Sequence, residues 1–259
     1  MTKPDVRPTV YVVGAGPGAP DLITIRGKEL LEHADLVLYA GSLVNPEILR
    51  FCRPECKTVD SAPLNLDEQV QTMVDAARNG KTVVRLHTGD PSLYGAVAEQ
   101  KALLEREGLR VRFVPGVSSL QAAASVLGIQ YTVPGETQTL ICTRRTGRTP
   151  VPQSETLPAL AAHEATMVLF LSSKQAGRVT QDLMDGGLSP ETPAACVYRA
   201  TWPDQVVLRS DLRGLAHAME DRGIDRHALM VVGRCLNPEG TTSLLYDSSF
   251  SHRFRKAKS

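Results

Sequence analysis

The stretch "TVYVVGAGPGAPDLIT" occupies residues 9–24, and its reading decides the fold. Its opening apolar run lacks the polar alternation of a one-sided sheet, so it reads as a strand buried on both faces. Gly14, Gly16 and Ala19 then fit G-x-G-x-x-A, the pattern of a dinucleotide-binding turn. That reading requires an acidic residue at the end of the second strand to hold ribose hydroxyls. The second strand, "LVLYA", runs instead into "GSLVNPE", and Glu32 and Asp35 both precede it. Pro17 and Pro20 intrude where the third turn residue and the helix start belong, and the helix begins late, with Thr24 as its cap. The context argues against a nicotinamide cofactor. The glycines serve a sharp turn at the carboxyl end of the first strand, where open α/β sheets seat their ligands.

Working outward, "KTVVRL" and "VRFVPG" read as further buried parallel strands. Between the strands lie the helical stretches "IRGKELLEHA", "LDEQVQTMVDAARNG" and "YGAVAEQKALLEREG", the last two closed by Gly80 and Gly108 where a helix end favours glycine. This βαβ succession predicts an α/β domain over residues 9–135. The pattern resets around "YTVPGETQ" (131–138). A second domain over 136–240 then offers "TQTLICT", "TMVLFLS", "AACVYRAT", "QVVLRSDL" and "ALMVVG" as strands. The turn-like "WPD" between two of them predicts an antiparallel hairpin and hence a mixed sheet. Residues 241–259 are basic and aperiodic towards the end and read as a flexible tail.

Two more loops end at the same predicted edge as the glycine turn. "LHTGDPSLYG" (86–95) follows the third predicted strand and "VPGVSSLQAAA" (114–124) the fourth. Asp90 is placed to cap a helix with Pro91 at its first position, and Ser118 to cap the next. Each loop by itself is explained as a well-made helix start. Three such loops converging on one edge favour a small-molecule pocket.

Composition bounds the remaining choices. A chain of 259 residues with 42% hydrophobic and 22% charged residues has room for a proper core. A net charge of +1 gives no field for gathering a long nucleic acid or an anionic membrane, and no apolar run approaches the roughly 18 residues of a membrane span. The N-terminus lacks an apolar signal core, so a cytoplasmic protein is expected. Among the five cysteines only Cys52 and Cys56 lie close, with no second pair to complete a zinc site, and the histidines show no H-x-x-x-H spacing. No bound metal is expected, and no catalytic triad or carboxylate pair stands out, so catalytic residues stay unassigned.

The motifs "VGAGPGAPDLITIRG", "HTGDPSLYG", "VPGVSS" and "YRATWPDQ" resemble the successive motifs of the tetrapyrrole methylase family over residues 9–236, and "YAGSLVNPE" and "RRTGRTPVP" are similar to its branch acting at C11 of precorrin-4 in cobalamin biosynthesis. The resemblance implies a two-domain α/β fold with a mostly parallel N-terminal sheet, a mixed C-terminal sheet and an active site in the cleft between them. It implies S-adenosylmethionine as methyl donor and a homodimer. It places the donor against Pro17, Gly89, Asp90, Leu93, Ser118 and Ser119, with Leu171, Ala200 and Ala228 on the adenine side. Arg144, Arg145 and Arg148 suit the carboxylates of the acceptor, and equally a solvated basic loop. His87 is a candidate for substrate contact or a structural histidine, and Ser42 and Asn45 line the acceptor trough or simply make a turn. Ala19 stands where many relatives carry aspartate. A metal-free or a cobalt-loaded acceptor, another tetrapyrrole methylation, and an RNA- or diphthamide-modifying enzyme on this fold remain alternatives.

Overall fold

The computed structural model describes residues 7–238, 243, 248–251 and 253–257. Of the tail expected over 241–259, residues 241, 242, 244–247, 252, 258 and 259 lie outside the described residues.

The chain divides into two compact units. Unit 1 spans residues 1–122 together with the turn Arg199–Asp204, and unit 2 holds the rest. In chain order the first elements are β1 (Thr9–Gly14), α1 (Ile25–Glu32), β2 (Leu36–Tyr39), β3 (Lys57–Asp60), α2 (Leu66–Arg78), β4 (Val83–His87), α3 (Val97–Arg106), β5 (Arg110–Val114) and α4 (Ser119–Leu127). Unit 1 carries a parallel sheet of strand order β3-β2-β4-β1-β5. One face buries Val13, Leu31, Val84 and Leu86, and the other Val10, Leu38, Met73 and Leu104. That is why β1 and β4 read as apolar without alternation.

Several local expectations hold. Thr24 caps α1 by accepting from the Gly27 N–H, and Gly80 and Gly108 follow α2 and α3 in the left-handed region at φ of 73° and 80°. Others need correction. β5 is an edge strand, so Arg112 and Phe113 are exposed rather than buried. α3 does not start at Pro91 under an Asp90 cap. Residues 91–94 form turns, Tyr94 and Ala96 adopt φ of 55° and 48°, and the helix begins at Val97. β3 escaped the sequence reading because its four residues, "KTVD", are mostly exposed at the sheet edge and carry no apolar run.

Unit 2 contains β6 (Leu140–Arg144), α5 (Leu157–Ala161), β7 (Thr166–Phe170), α6 (Ala176–Asp185), β8 (Pro193–Tyr198), β9 (Val206–Asp211), α7 (Leu212–Asp221) and β10 (Ala228–Val232). Its sheet has the order β6-β7-β10-β8-β9. It is mixed: β6 and β7 are parallel, while β10, β8 and β9 pair antiparallel. The "WPD" hairpin expected between β8 and β9 is present. Met167, Leu169, Leu183, Leu212, Leu215, Met219 and Met230 fill the core beneath α6 and α7.

Candidate active site

In unit 1 the ends of β1, β4 and β5 bring three loops into backbone contact. The Ala15 N–H donates to His87 O at 2.7 Å, and Gly16 and Gly89 exchange both amide bonds at 3.2 and 2.9 Å. Such approach demands glycine. A Cβ on Gly14 would lie 2.6 Å from the Gly116 Cα, and one on Gly116 would lie 2.2 Å from Gly89 O. The glycines of the opening stretch therefore serve loop-to-loop packing at the ligand edge of the sheet.

Asp90 ties two of these loops together. Its Oδ1 accepts from the Ser92 N–H at 2.9 Å and from the Ser92 hydroxyl, and its Oδ2 accepts from the Gly116 N–H at 2.8 Å. Partial burial pushes the carboxyl up, but these hydrogen bonds outweigh it and leave Asp90 below its ordinary 3.8. Gly89 sits at φ 58°, with Ser118 and Ser119 close by. The Ser118 hydroxyl accepts from the Leu120 N–H at 3.2 Å, capping α4 as expected. Leu93 is half-buried in the turn after Asp90.

His87 is 8% exposed, and both ring nitrogens face carbonyls of its own loop: Nδ1 lies 3.1 Å from Thr88 O and Nε2 3.0 Å from Gly95 O. Burial, reinforced by the charge of Arg85, holds its pKa below 6.5 against the pull of those carbonyls. Arg85 is itself buried, bonded to Leu38 O at 3.2 Å and Gln100 Oε1 at 3.3 Å, and burial pushes its pKa down to about 10.

The turn after β2 joins the same assembly. Asp60 Oδ1 accepts from the Gly41 N–H at 2.9 Å, and the Thr88 hydroxyl donates to Leu43 O at 3.2 Å. Asn45 is buried, accepting from the Glu47 N–H and donating from Nδ2 to Gly18 O at 2.9 Å, whereas Ser42 is exposed. Pro17 is buried, and its carbonyl accepts from Trp202 Nε1 at 3.0 Å; Ala200 lies in the same 199–204 turn. Thus Pro17, Ser42, Asn45, His87, Gly89, Asp90, Leu93, Ser118, Ser119 and Ala200 all belong to one loop cluster in unit 1. Asp60, Thr201 and Trp202 were missed from sequence. Their partners lie far along the chain, and the motif "YRATWPDQ" marks Thr201 and Trp202 without showing what they bind.

In unit 2, Arg144 pairs in register with Phe170, Leu171 follows, and the Ser173 hydroxyl donates to Ala228 O at 3.0 Å. Leu171 and Ala228 therefore share one sheet edge; Leu171 is 71% exposed with φ 51°, a strained backbone for a leucine. The arginine loop splits in role. Arg144 donates to the carbonyls of Thr149 and Pro150 at 3.0 and 3.1 Å, folding the loop back on itself. Arg145 forms an ion pair with Asp182 on α6 at 2.5 Å and bonds Gln175 at 2.7 Å. Arg148 is exposed. A cavity of about 560 Å³ opens at the other edge of this sheet beside Glu164, Thr192 and Gly233, and no predicted site residue lines it. Among the described residues no three His, Cys, Asp or Glu side chains converge as a metal site, and no helix is long and apolar enough to cross a membrane.

A parallel sheet and a mixed sheet in two units, with glycine-built loops at the carboxyl edge of the first, define a class of α/β enzyme distinct from nicotinamide dehydrogenases. Residues 9–216 match the model of the tetrapyrrole (corrin/porphyrin) methylases, and the chain belongs to that family. It is 47% identical over 249 residues to the cobalt-precorrin-4 C(11)-methyltransferase of Methanocaldococcus jannaschii, covering 96% of each chain. It is 46% identical over 248 residues to the precorrin-4 C(11)-methyltransferase of Mycobacterium tuberculosis, covering 95% of this chain and 99% of that one. The X-ray structure of a cobalt precorrin-4 methyltransferase of cobalamin biosynthesis superposes with a TM-score of 0.87 at 46% identity, covering 89% and 96% of the two chains. A uroporphyrin-III C-methyltransferase from Thermus thermophilus, solved with S-adenosylhomocysteine, gives a TM-score of 0.73 at 28% identity and covers 90% and 96%.

Proposed function

We propose that this protein transfers a methyl group from S-adenosylmethionine to C11 of precorrin-4, giving precorrin-5 in cobalamin biosynthesis. The observation that carries the reading is identity of 46–47% over nearly the whole chain with relatives named for that position of that macrocycle. Those relatives are named for cobalt-precorrin-4 in two cases and precorrin-4 in another, so the cobalt-loaded macrocycle is the second reading.

The chemistry suits a site without a strong base. A methyl sulfonium is already electrophilic, and attack by an electron-rich ring carbon needs alignment and exclusion of water. Holding both reactants in line supplies about 7–11 kcal/mol of the barrier. A cluster fixed by backbone bonds and glycine contacts serves such alignment. In unit 1 we assign donor contact to Pro17, Gly89, Asp90, Leu93, Ser118, Ser119 and Ala200. In unit 2 the resemblance assigns Leu171 and Ala228 to the adenine side. Ser42 and Asn45 belong to the acceptor loop, and Arg148 is the guanidinium best placed to meet an acceptor carboxylate. His87, with both nitrogens turned to its own loop, shapes that loop. The proposal assigns no metal to the protein and expects a homodimer working in the cytoplasm, where the free thiols fit a reducing compartment.

The test is incubation with S-adenosylmethionine and either metal-free or cobalt-loaded precorrin-4, followed by mass spectrometry. Gain of a single methyl group on one acceptor supports the reading and chooses between the two acceptors. No gain on either defeats it.

A further inference from the structure

Three consecutive residues of the glycine-rich turn are gripped from outside by side chains. The Pro17 carbonyl accepts from Trp202 Nε1 at 3.0 Å, the Gly18 carbonyl from Asn45 Nδ2 at 2.9 Å, and the Ala19 N–H donates to Thr201 Oγ1 at 3.0 Å. The indole lies so close to Gly18 that a Cβ there would stand 2.1 Å from Trp202 Cδ1. The Arg199 guanidinium sits 5.0 Å from the ring centroid and is held by Asp204 at 2.5 Å. Arg199 and Thr201 adopt φ of 46° and 69°, a strained region for residues with side chains. Closing a hairpin between β8 and β9 requires none of this, since two-residue turns of glycine and asparagine do so without strain. The strain and the grip serve the partner they hold, the turn at the carboxyl end of β1.

We propose that Trp202, seconded by Thr201, is a positioning residue for the methyl donor: the 199–204 turn fixes the backbone of Pro17–Ala19 in the conformation that receives it. This rests on the reading that this turn holds the donor. The Thr201 hydroxyl receives the Ala19 N–H, so the turn is anchored through its backbone at a residue whose methyl side chain can make no polar contact of its own. Trp202 is also the chain's single tryptophan, so the indole reports on its own contact.

The test uses the full-length protein and S-adenosylhomocysteine, followed by calorimetry and by tryptophan emission. The parent is expected to bind with a saturable emission change at the calorimetric Kd. Trp202→Phe keeps a packed ring and loses the N–H; its Kd is expected to rise about tenfold, or about 1.4 kcal/mol, with a melting temperature near the parent's. Should Trp202→Phe fail to fold, Thr201→Val carries the test, because it keeps the side-chain shape and removes the hydroxyl that accepts the Ala19 N–H; its Kd is expected to rise several-fold. Binding by the parent with Kd unchanged within about twofold in every variant that folds overturns the proposal, whatever the emission does. Absence of binding by the parent overturns the donor assignment itself, and this proposal with it.

Discussion

Replacing Asp90 by Asn removes an acceptor at a point where only donors converge. The Gly116 N–H, the Ser92 N–H and the Ser92 hydroxyl all point at its two oxygens. An amide presents its own NH₂ to one side, leaving one backbone donor opposed rather than matched. Because water reaches Asp90, the expected cost is about 1 kcal/mol, the low end for an unmatched group, read as a lower urea midpoint. Donor affinity should fall with it, measured by titration with S-adenosylhomocysteine. His87 gives a prediction in pH. Its folded pKa is depressed below 6.5 by burial, so the unfolded chain takes up the proton first as pH falls. The stability it contributes is complete above about 6.5 and is lost as pH drops through the folded value. His87→Gln should therefore flatten the decline in melting temperature between about pH 7 and 5, read against the parent. An equal slope in both proteins would place the acid sensitivity elsewhere.

At the scale of elements, what the sequence disclosed depended on burial. β1, β7 and β10 were legible because strands buried on both faces carry apolar runs without polar alternation, and β4 was legible from Val83, Val84 and Leu86 despite its buried Arg85 and His87. β3 and the outer face of β5 were not, because an edge strand needs no such run. The glycines of the loops at the β-edge raise the expectation of a ligand site, but the bonds between those loops were not legible, since Gly14, Gly89 and Gly116 meet only after folding. The resulting prediction contrasts two glycines. Gly116→Ala drives a Cβ to 2.2 Å from Gly89 O, backbone against backbone, with no side chain able to yield. It should cost at least the roughly 1–3 kcal/mol of an overpacked core and abolish donor binding. Gly80→Ala meets nothing within 4 Å and opposes only φ 73°, so it should cost about 1–2 kcal/mol and leave donor binding intact. Denaturant unfolding of both variants, with donor titration, checks the pair.

At the scale of the whole molecule, charge decides how a carboxylate-fringed acceptor is met. The chain has 29 Lys and Arg against 28 Asp and Glu, so no long-range field gathers an anionic macrocycle. Recognition then depends on individual guanidinium groups, and the sequence could not tell which of three neighbouring arginines was available. Arg144 is engaged by its own loop, and Arg145 is locked to Asp182 and Gln175 with its side chain only 16% exposed. Arg148 alone of the three is exposed. Arg145→Ala strips a partly buried carboxylate of its partner and should lower stability. Arg148→Ala should leave the urea midpoint unchanged while weakening acceptor binding about tenfold, the roughly 1.5–3 kcal/mol scale of a hydrogen bond to a charged group. Arg148→Lys should restore part of the loss, because an ammonium keeps the charge but lacks the planar fork. Added salt should weaken acceptor binding only modestly, as a near-neutral protein has little field to screen. Urea unfolding and acceptor titration at saturating donor, run on all three variants, measure these effects. An unchanged affinity in Arg148→Ala would assign the loop to solvent and move the carboxylate contacts to other residues.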